Sequence, residues 1–165
     1  MRSLSLRMVA LLCAALSAAA LSLAFATEYW GGLVPCALCL LARWPYRIAI
    51  VLGLMAAVAP PRIARPLLMA LLATLLADVA ISVVHVGVEF TWWESPLQEC
   101  AAPRFRRGSI AQILATMPAR PAKPCDEPTY LIPFLPISMA GLNLLFALTL
   151  SILLGLFLRQ GTKRS

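Results

Sequence analysis

Four apolar runs of near-spanning length, separated by polar segments, constrain this chain more than any other feature. They are Met8–Ala26, which holds no charge; a run from about residue 41 to 59 that ends at Pro60-Pro61; Leu67–Val88, interrupted by Asp78 and His85; and a run from about Leu135 to Leu158. A helix rises 1.5 Å per residue, so about 20 residues cross the roughly 30 Å hydrocarbon core of a bilayer. Lipid offers no partner to a free backbone N–H or C=O, so runs of this kind fold as helices. Composition agrees: 61% of the 165 residues are hydrophobic and 13% are charged, against about 45–50% and 25% in soluble domains. A small soluble core cannot hold that apolar excess, and disorder requires the opposite bias. The expected fold is an all-α membrane protein, a four-transmembrane-helix bundle forming one domain over residues 1–165. Its spans fall at about 8–26, 41–59, 67–88 and 135–158, and its two extracytoplasmic loops at 27–40 and 89–134. The prolines are expected outside the span interiors or at their ends, as helix continuity demands.

Charge placement sets the topology. Arg2, Arg7, Arg62, Arg65, Arg159, Lys163 and Arg164 lie in the tails and one tight connection without an acidic neighbour. Arg43, Arg47, Arg104, Arg106, Arg107, Arg120 and Lys123 share their segments with Glu28, Glu89, Glu94, Glu99, Asp126 and Glu127. Acid-free basic segments stay in the cytoplasm. Both termini are therefore expected inside, and the two long segments outside. The net charge of +7 is a topology signal, and a nucleic-acid partner is not expected. Trp30, Trp44, Tyr46, Trp92 and Trp93 all fall at outer span ends, the headgroup level that aromatic rings favour. Met1–Ala26 also resembles a signal peptide ending at Ala24-Phe25-Ala26. Its apolar run exceeds the usual 7–15-residue signal core, which favours an uncleaved first helix.

The second outer loop exceeds 40 residues and carries six prolines from Pro96 to Pro128. Loops of that length are usually functional or disordered. Within it, Ser109-Ile110-Ala111-Gln112 fits a capping box, and Ile110, Ile113, Leu114 and Met117 fall at i, i+3, i+4 and i+7, with Pro118 ending the pattern. The expectation is a short amphipathic helix lying on the bilayer, with Arg104, Arg106 and Arg107 offered to lipid phosphates.

Cys13 lies among Leu and Ala in the first span and reads as a packing residue. The other four cysteines, Cys36, Cys39, Cys100 and Cys125, all fall in the outer segments, where thiols pair and stay paired. A disulfide closing the long loop at Cys100 and Cys125 gains loop-closure entropy. The four-residue ring of Cys36 and Cys39 constrains almost nothing. A Cys-x-x-Cys pair is better suited to redox chemistry or a metal. Leu40 stands where haem attachment needs His, and the wide spacing of the second pair disfavours zinc. With a helix beginning near Leu41 or Ala42, Cys39 would sit just before its N-terminus with Arg43 one turn on. Dipole and guanidinium both favour a thiolate there. Arg43 can alternatively snorkel to phosphate, as expected for Arg47.

These features resemble the DsbB family of bacterial disulfide-bond-formation membrane proteins. The resemblance rests on four spans, Pro35-Cys36-Ala37-Leu38-Cys39 with Arg43 four residues later, and a cysteine pair in a long second outer loop. It implies a four-helix bundle in the bacterial inner membrane that reoxidises a DsbA-like periplasmic thiol oxidase and passes the electrons to membrane quinone, ubiquinone or menaquinone. By position, Cys100 would receive the partner's thiolate and Cys125 would attack Cys36. Cys39 would become the thiolate facing the quinone, and Arg43 would hold the ring. The chain departs from the family where members often carry a quinone-proximal His just after an acid. Here Glu89 is followed by Phe90, and the only histidine is His85, one turn earlier. Thiol–quinone oxidoreductases of the vitamin K epoxide reductase type usually carry the motif at a later helix. A paralogue with another partner, or a membrane scaffold with structural disulfides, are the remaining readings.

Thr74, Asp78, Ser82, His85 and Glu89 share one face of the third span. Quinone reduction consumes two protons, and His titrates in the useful range. His85 and Glu89 are therefore candidates for binding quinone and passing protons to it, with Asp78 orienting the deeper end. The plainer reading is that Asp78 and Ser82 bond a neighbouring helix, at Asn143 or Ser138. The topology has a direct test. A reporter active only in the cytoplasm should give signal when fused after Pro61 and none when fused within Ala101–Pro124. The reverse pattern would overturn the placement of all four outer cysteines.

Overall fold

The computed structural model describes residues 5–97, 100, 123–131 and 136–162. Among the described residues, four helices carry the fold: α1 (Leu6–Tyr29), α2 (Ala37–Val58), α3 (Pro61–Glu89) and α4 (Met139–Thr162). All four are long and apolar enough to cross a membrane. The amphipathic helix expected at Ser109–Met117, with Arg104, Arg106 and Arg107, lies outside the described residues.

Local chemistry explains where the helices begin. Ser5 caps α1, its Oγ accepting the Met8 N–H at 3.2 Å. Pro60 and Pro61 start α3, positions where a missing N–H costs nothing. Cys36 caps α2, its Sγ accepting the Cys39 N–H at 3.3 Å. That cap corrects the expected start near residue 41: the helix begins at Ala37, and Cys39 lies in its first turn. A second correction follows from the early starts. Pro45 and Pro66 lie inside α2 and α3 rather than at their ends, each in the N-terminal half of its helix and each removing one i→i−4 bond that the helix continues past.

The helices pack in chain order, α1 on α2, α2 on α3 and α3 on α4, while α1 and α4 barely meet. Small residues let α1 and α2 approach closely. A side chain at Gly53 would stand 2.9 Å from the Ala10 carbonyl and 2.9 Å from Ala14 Cβ. Ala49 and Ala56 extend the same stripe, buried against Ala10 and Cys13. Leu68, Leu71, Leu75, Leu150 and Leu154 complete the core on α3 and α4. Leu11, Leu12, Val51, Leu54, Leu145 and Leu153 face outward, as suits helices that associate in lipid by close packing rather than by hiding apolar surface.

The reversal after α3 depends on Gly87. Thr91 adopts a left-handed conformation, φ 56°, and the Trp92 N–H bonds the Gly87 carbonyl at 2.8 Å. Trp93 thereby folds back, its indole N–H donating to the Val84 carbonyl at 3.1 Å. A Cβ on Gly87 would lie 2.0 Å from the Trp93 ring. Gly87→Ala should therefore expel Trp93 and destabilise the protein by about 1–3 kcal/mol, the usual cost of overpacking. A lowered unfolding temperature in detergent, with red-shifted tryptophan emission, is the expected result. Unchanged values would show that Trp93 does not seat on Gly87.

Candidate redox site at the loop end of the bundle

The alternating helices bring the end of α1, the start of α2, the end of α3 and the start of α4 to one end of the bundle, and the site collects there. Cys36 and Cys39 occupy the cap and third position of α2, which are neighbours across the first turn. Their sulfurs lie 3.0 Å apart and both are free thiols. From α3, His85 Nε2 reaches 3.4 Å from Cys36 Sγ. Glu89 Oε1 lies 4.0 Å from the same ring nitrogen, and the Ser138 hydroxyl donates to Glu89 Oε2.

This arrangement puts the anion-stabilising contacts on Cys36, where the sequence pointed to Cys39. With Cys36 ionised, the Cys39 thiol donates to it, and this is the main cause that lowers its pKa. The His85 ring and the Cys39 backbone N–H add to the effect against the opposing influence of burial. The result is a Cys36 thiol pushed down from the ordinary thiol range to about 4. The start of α2 contributes the same sign of field.

Cys100 and Cys125 are joined by a disulfide. The bridge is buried in one apolar cluster with Cys36, Leu38 and Val88, against which Cys39 and Leu97 also pack. The two cysteine pairs are thus neighbours.

Beneath them, a cavity of about 590 Å³ runs between the helices, within the roughly 300–1,000 Å³ usual for ligand sites. Leu16, Ala20, Leu23, Leu142 and Phe146 supply apolar walls, and Cys39, Arg43, Tyr46, His85 and Asn143 bring polar groups to it. Thr129 and Leu131 line it from the loop, which is tied to α4 by the Met139 N–H donating to the Thr129 carbonyl at 2.8 Å.

Arg43 does not snorkel. It is buried, bonded to Glu28 at 2.6 Å, and its guanidinium lies 4.7 Å over the Phe25 ring. Arg47 instead reaches over Trp44 on the exposed face. Tyr46, expected at headgroup level, is buried in the bundle and donates to Asn143 Oδ1 at 2.7 Å. Asn143 Nδ2 donates to Ser82 Oγ at 2.8 Å and Asp78 Oδ2 at 3.3 Å. The plainer reading of that part of the stripe is what the geometry displays. Thr74 bonds its own helix at the Ala70 carbonyl.

Sequence reasoning missed Glu28 as the partner of Arg43, and the contact of His85 with Cys36. The available signal for the first was an acid near the end of α1; nothing local announced the second, which joins α2 to α3.

Cys36, Cys39 and His85 place three donor atoms within 4.8 Å of one another, a set that could hold a metal ion. Two sulfurs on one tetrahedral zinc, each about 2.3 Å from the ion, would stand about 3.8 Å apart. The observed 3.0 Å better suits a dithiol that closes to a disulfide.

A multi-pass membrane protein with a thiol pair at a helix mouth and a neighbouring disulfide belongs to the class of membrane thiol–disulfide proteins. Comparison with known families narrows this further. Residues 6–157 match the family described as Disulfide bond formation protein DsbB, and the chain belongs to that family. It is also 34% identical over 145 residues to the Uncharacterized protein RP370 of Rickettsia prowazekii (strain Madrid E), covering 87% of this chain and 82% of that protein. No solved structure matches it. Family membership makes the chain a disulfide oxidoreductase.

The low Cys36 pKa has a measurable consequence. In reduced protein, alkylation of Cys36 should proceed at a nearly constant rate from pH 5 to 8 and fall only as pH drops through about 4. An ordinary thiol would instead accelerate about tenfold per pH unit below its pKa near 8.5. His85→Ala should move the profile upward. A wild-type profile with its midpoint above pH 8 would contradict the assignment.

Proposed function

We propose that this protein reoxidises a DsbA-like periplasmic thiol oxidase by disulfide exchange and delivers the electrons to membrane quinone, ubiquinone or menaquinone. In this reading it sits in the bacterial inner membrane, with both termini cytoplasmic and both long loops periplasmic. One observation carries the proposal. Cys39 lines the cavity while its partner Cys36 packs against the Cys100–Cys125 disulfide, so one dithiol borders both a membrane-level cavity and a loop disulfide.

The cavity fits a quinone head. Its walls are apolar, and Arg43 Nε is buried without a hydrogen-bond partner among the described residues, a donor suited to a carbonyl oxygen. The α1–α4 seam gives a lipid-soluble molecule a lateral approach. When bound, quinone supplies a two-electron, two-proton acceptor.

The chain's own steps balance as thiol–disulfide exchange. The partner's thiolate attacks Cys100 Sγ, the bond to Cys125 breaks, and the partner's second thiol resolves the mixed disulfide. Cys125 then attacks Cys36 of the Cys36–Cys39 disulfide, and Cys39 leaves as thiolate toward the cavity. Attack by Cys100 on the mixed disulfide restores the loop bridge and leaves Cys36 and Cys39 reduced. Cys36, held as thiolate, closes the bond to Cys39 as the electron pair departs into the cavity. Cys39, which takes up a proton as Cys36 becomes the thiolate, gives that proton to the acceptor. His85 and Glu89, placed between Cys36 and Ser138, carry the other.

Replacing Cys100 or Cys125 should spare quinone reduction by a small dithiol and block turnover with the protein partner, whereas replacing Cys36 or Cys39 should block both. Partner-dependent turnover surviving in Cys100→Ala would overturn the relay. Arg43→Ala should raise the quinone KM roughly 10- to 100-fold, the worth of one charge-assisted hydrogen bond. The partner KM should change little, and Arg43→Lys should be intermediate. An unchanged quinone KM would remove Arg43 from the site.

A further inference from the structure

Among the described residues, Arg43 is held from one side only. Its Nη1 bonds Glu28 Oε2 at 2.6 Å, its Nη2 reaches the Ala24 carbonyl at 3.4 Å, and Phe25 lies under the guanidinium. All three contacts come from the last turns of α1, which present residues 24, 25 and 28 to one neighbour. The clamp fixes the guanidinium plane and leaves Nε–H without a partner among the described residues. Glu28 and Arg43 both line the cavity, together with the titratable side chains of His85, Cys39 and Tyr46.

An arginine without its acid at this level would meet strong competitors. Lipid phosphates and anionic amphiphiles offer bidentate oxygens to a planar guanidinium and bind it tightly. Glu28 Oε2 takes Nη1 while the Ala24 carbonyl faces Nη2, and the carboxylate offsets the guanidinium charge. What remains wholly unpartnered among the described residues is the Nε–H, a donor on a guanidinium whose charge Glu28 offsets, matched to a neutral carbonyl oxygen.

We infer that Glu28 is a positioning and specificity-determining residue: by clamping and neutralising Arg43, it makes the cavity select neutral oxygen acceptors over anions. The inference deepens the quinone reading and rests on it. No electron or proton transfer is assigned to Glu28.

The test is equilibrium binding to the full-length protein in detergent, measured by calorimetry with two probes. One is a neutral short-chain ubiquinone, and the other a hydroxynaphthoquinone that is anionic at neutral pH. Wild type should prefer the neutral probe. Glu28→Gln keeps an oxygen near Arg43 but removes the charge, and should shift the anion-to-neutral affinity ratio by about tenfold or more toward the anion, as expected for an uncompensated charge in a low-dielectric cavity. Glu28→Asp, which keeps the charge, should stay near the wild-type ratio. Glu28→Gln combined with Arg43→Gln should lose the anion preference again. Glu28→Ala makes the same change of charge, so the comparison stands if one variant fails to fold. A purely structural role for Glu28 would weaken both probes alike. If wild type binds the neutral quinone and the ratio is unmoved in both Glu28→Gln and Glu28→Ala, the inference is overturned while the quinone reading stands. If wild type binds neither probe, the quinone reading falls and takes this inference with it.

Discussion

A sulfur, rather than an oxygen, caps α2, and the site is arranged around that bond. The cap and third residues of a helix are the pair whose side chain and N–H meet at an N-terminus, and their spacing is that of Cys-x-x-Cys. Capping by Cys36 therefore places the Cys39 sulfur 3.0 Å away at no added conformational cost. It also separates the two environments. Cys36 turns toward His85 and the loop disulfide, while Cys39 turns to the cavity. The backbone N–H, the neighbouring thiol and the imidazole all favour negative charge on the same sulfur.

The bundle supplies the second half of the arrangement by being closed unevenly. Small residues draw α1 onto α2, and Asn143 ties α4 to both α2 and α3 through Tyr46, Ser82 and Asp78. Interhelix hydrogen bonds of this kind contribute about 0.6 kcal/mol each on average within membranes, enough to fix register when several converge. No comparable tie among the described residues joins α1 to α4. The cavity occupies that seam, and the Tyr46–Asn143 bond and the Tyr46–Phe146 ring contact lie at its inner end.

Much of this was legible in the sequence because the membrane removes choices. Apolar length and backbone satisfaction gave four helices, and the cysteine spacing together with Arg43 pointed to the end of the bundle where the candidate site collects. Helix starts were less legible. Cys is an unusual cap, and recognising it at Cys36 requires knowing that the Cys39 N–H lacks another acceptor. Tyr46 was misplaced for a related reason: an aromatic near a span end can face lipid or neighbour helices, and only the packing of Asn143 decides. The Glu28–Arg43 pair and the His85–Cys36 contact join separate helices, and local pattern carries no information about such distances. The Asp78–Asn143 bond was the exception, since a carboxyl deep in a span has few partners to choose among.

The central claim is that the Cys36–Cys39 dithiol delivers its electrons to quinone, and stoichiometry tests it most directly. The form lacking the loop disulfide, with Cys100→Ala and Cys125→Ala, is fully reduced, freed of reductant, and mixed without oxygen with a short-chain ubiquinone. Free thiols and quinol are then counted in the same sample. The account requires one quinol formed for every two thiols lost, with Cys36 and Cys39 recovered as one disulfide. Thiols that persist beside bound quinone, or that disappear without quinol, would contradict it.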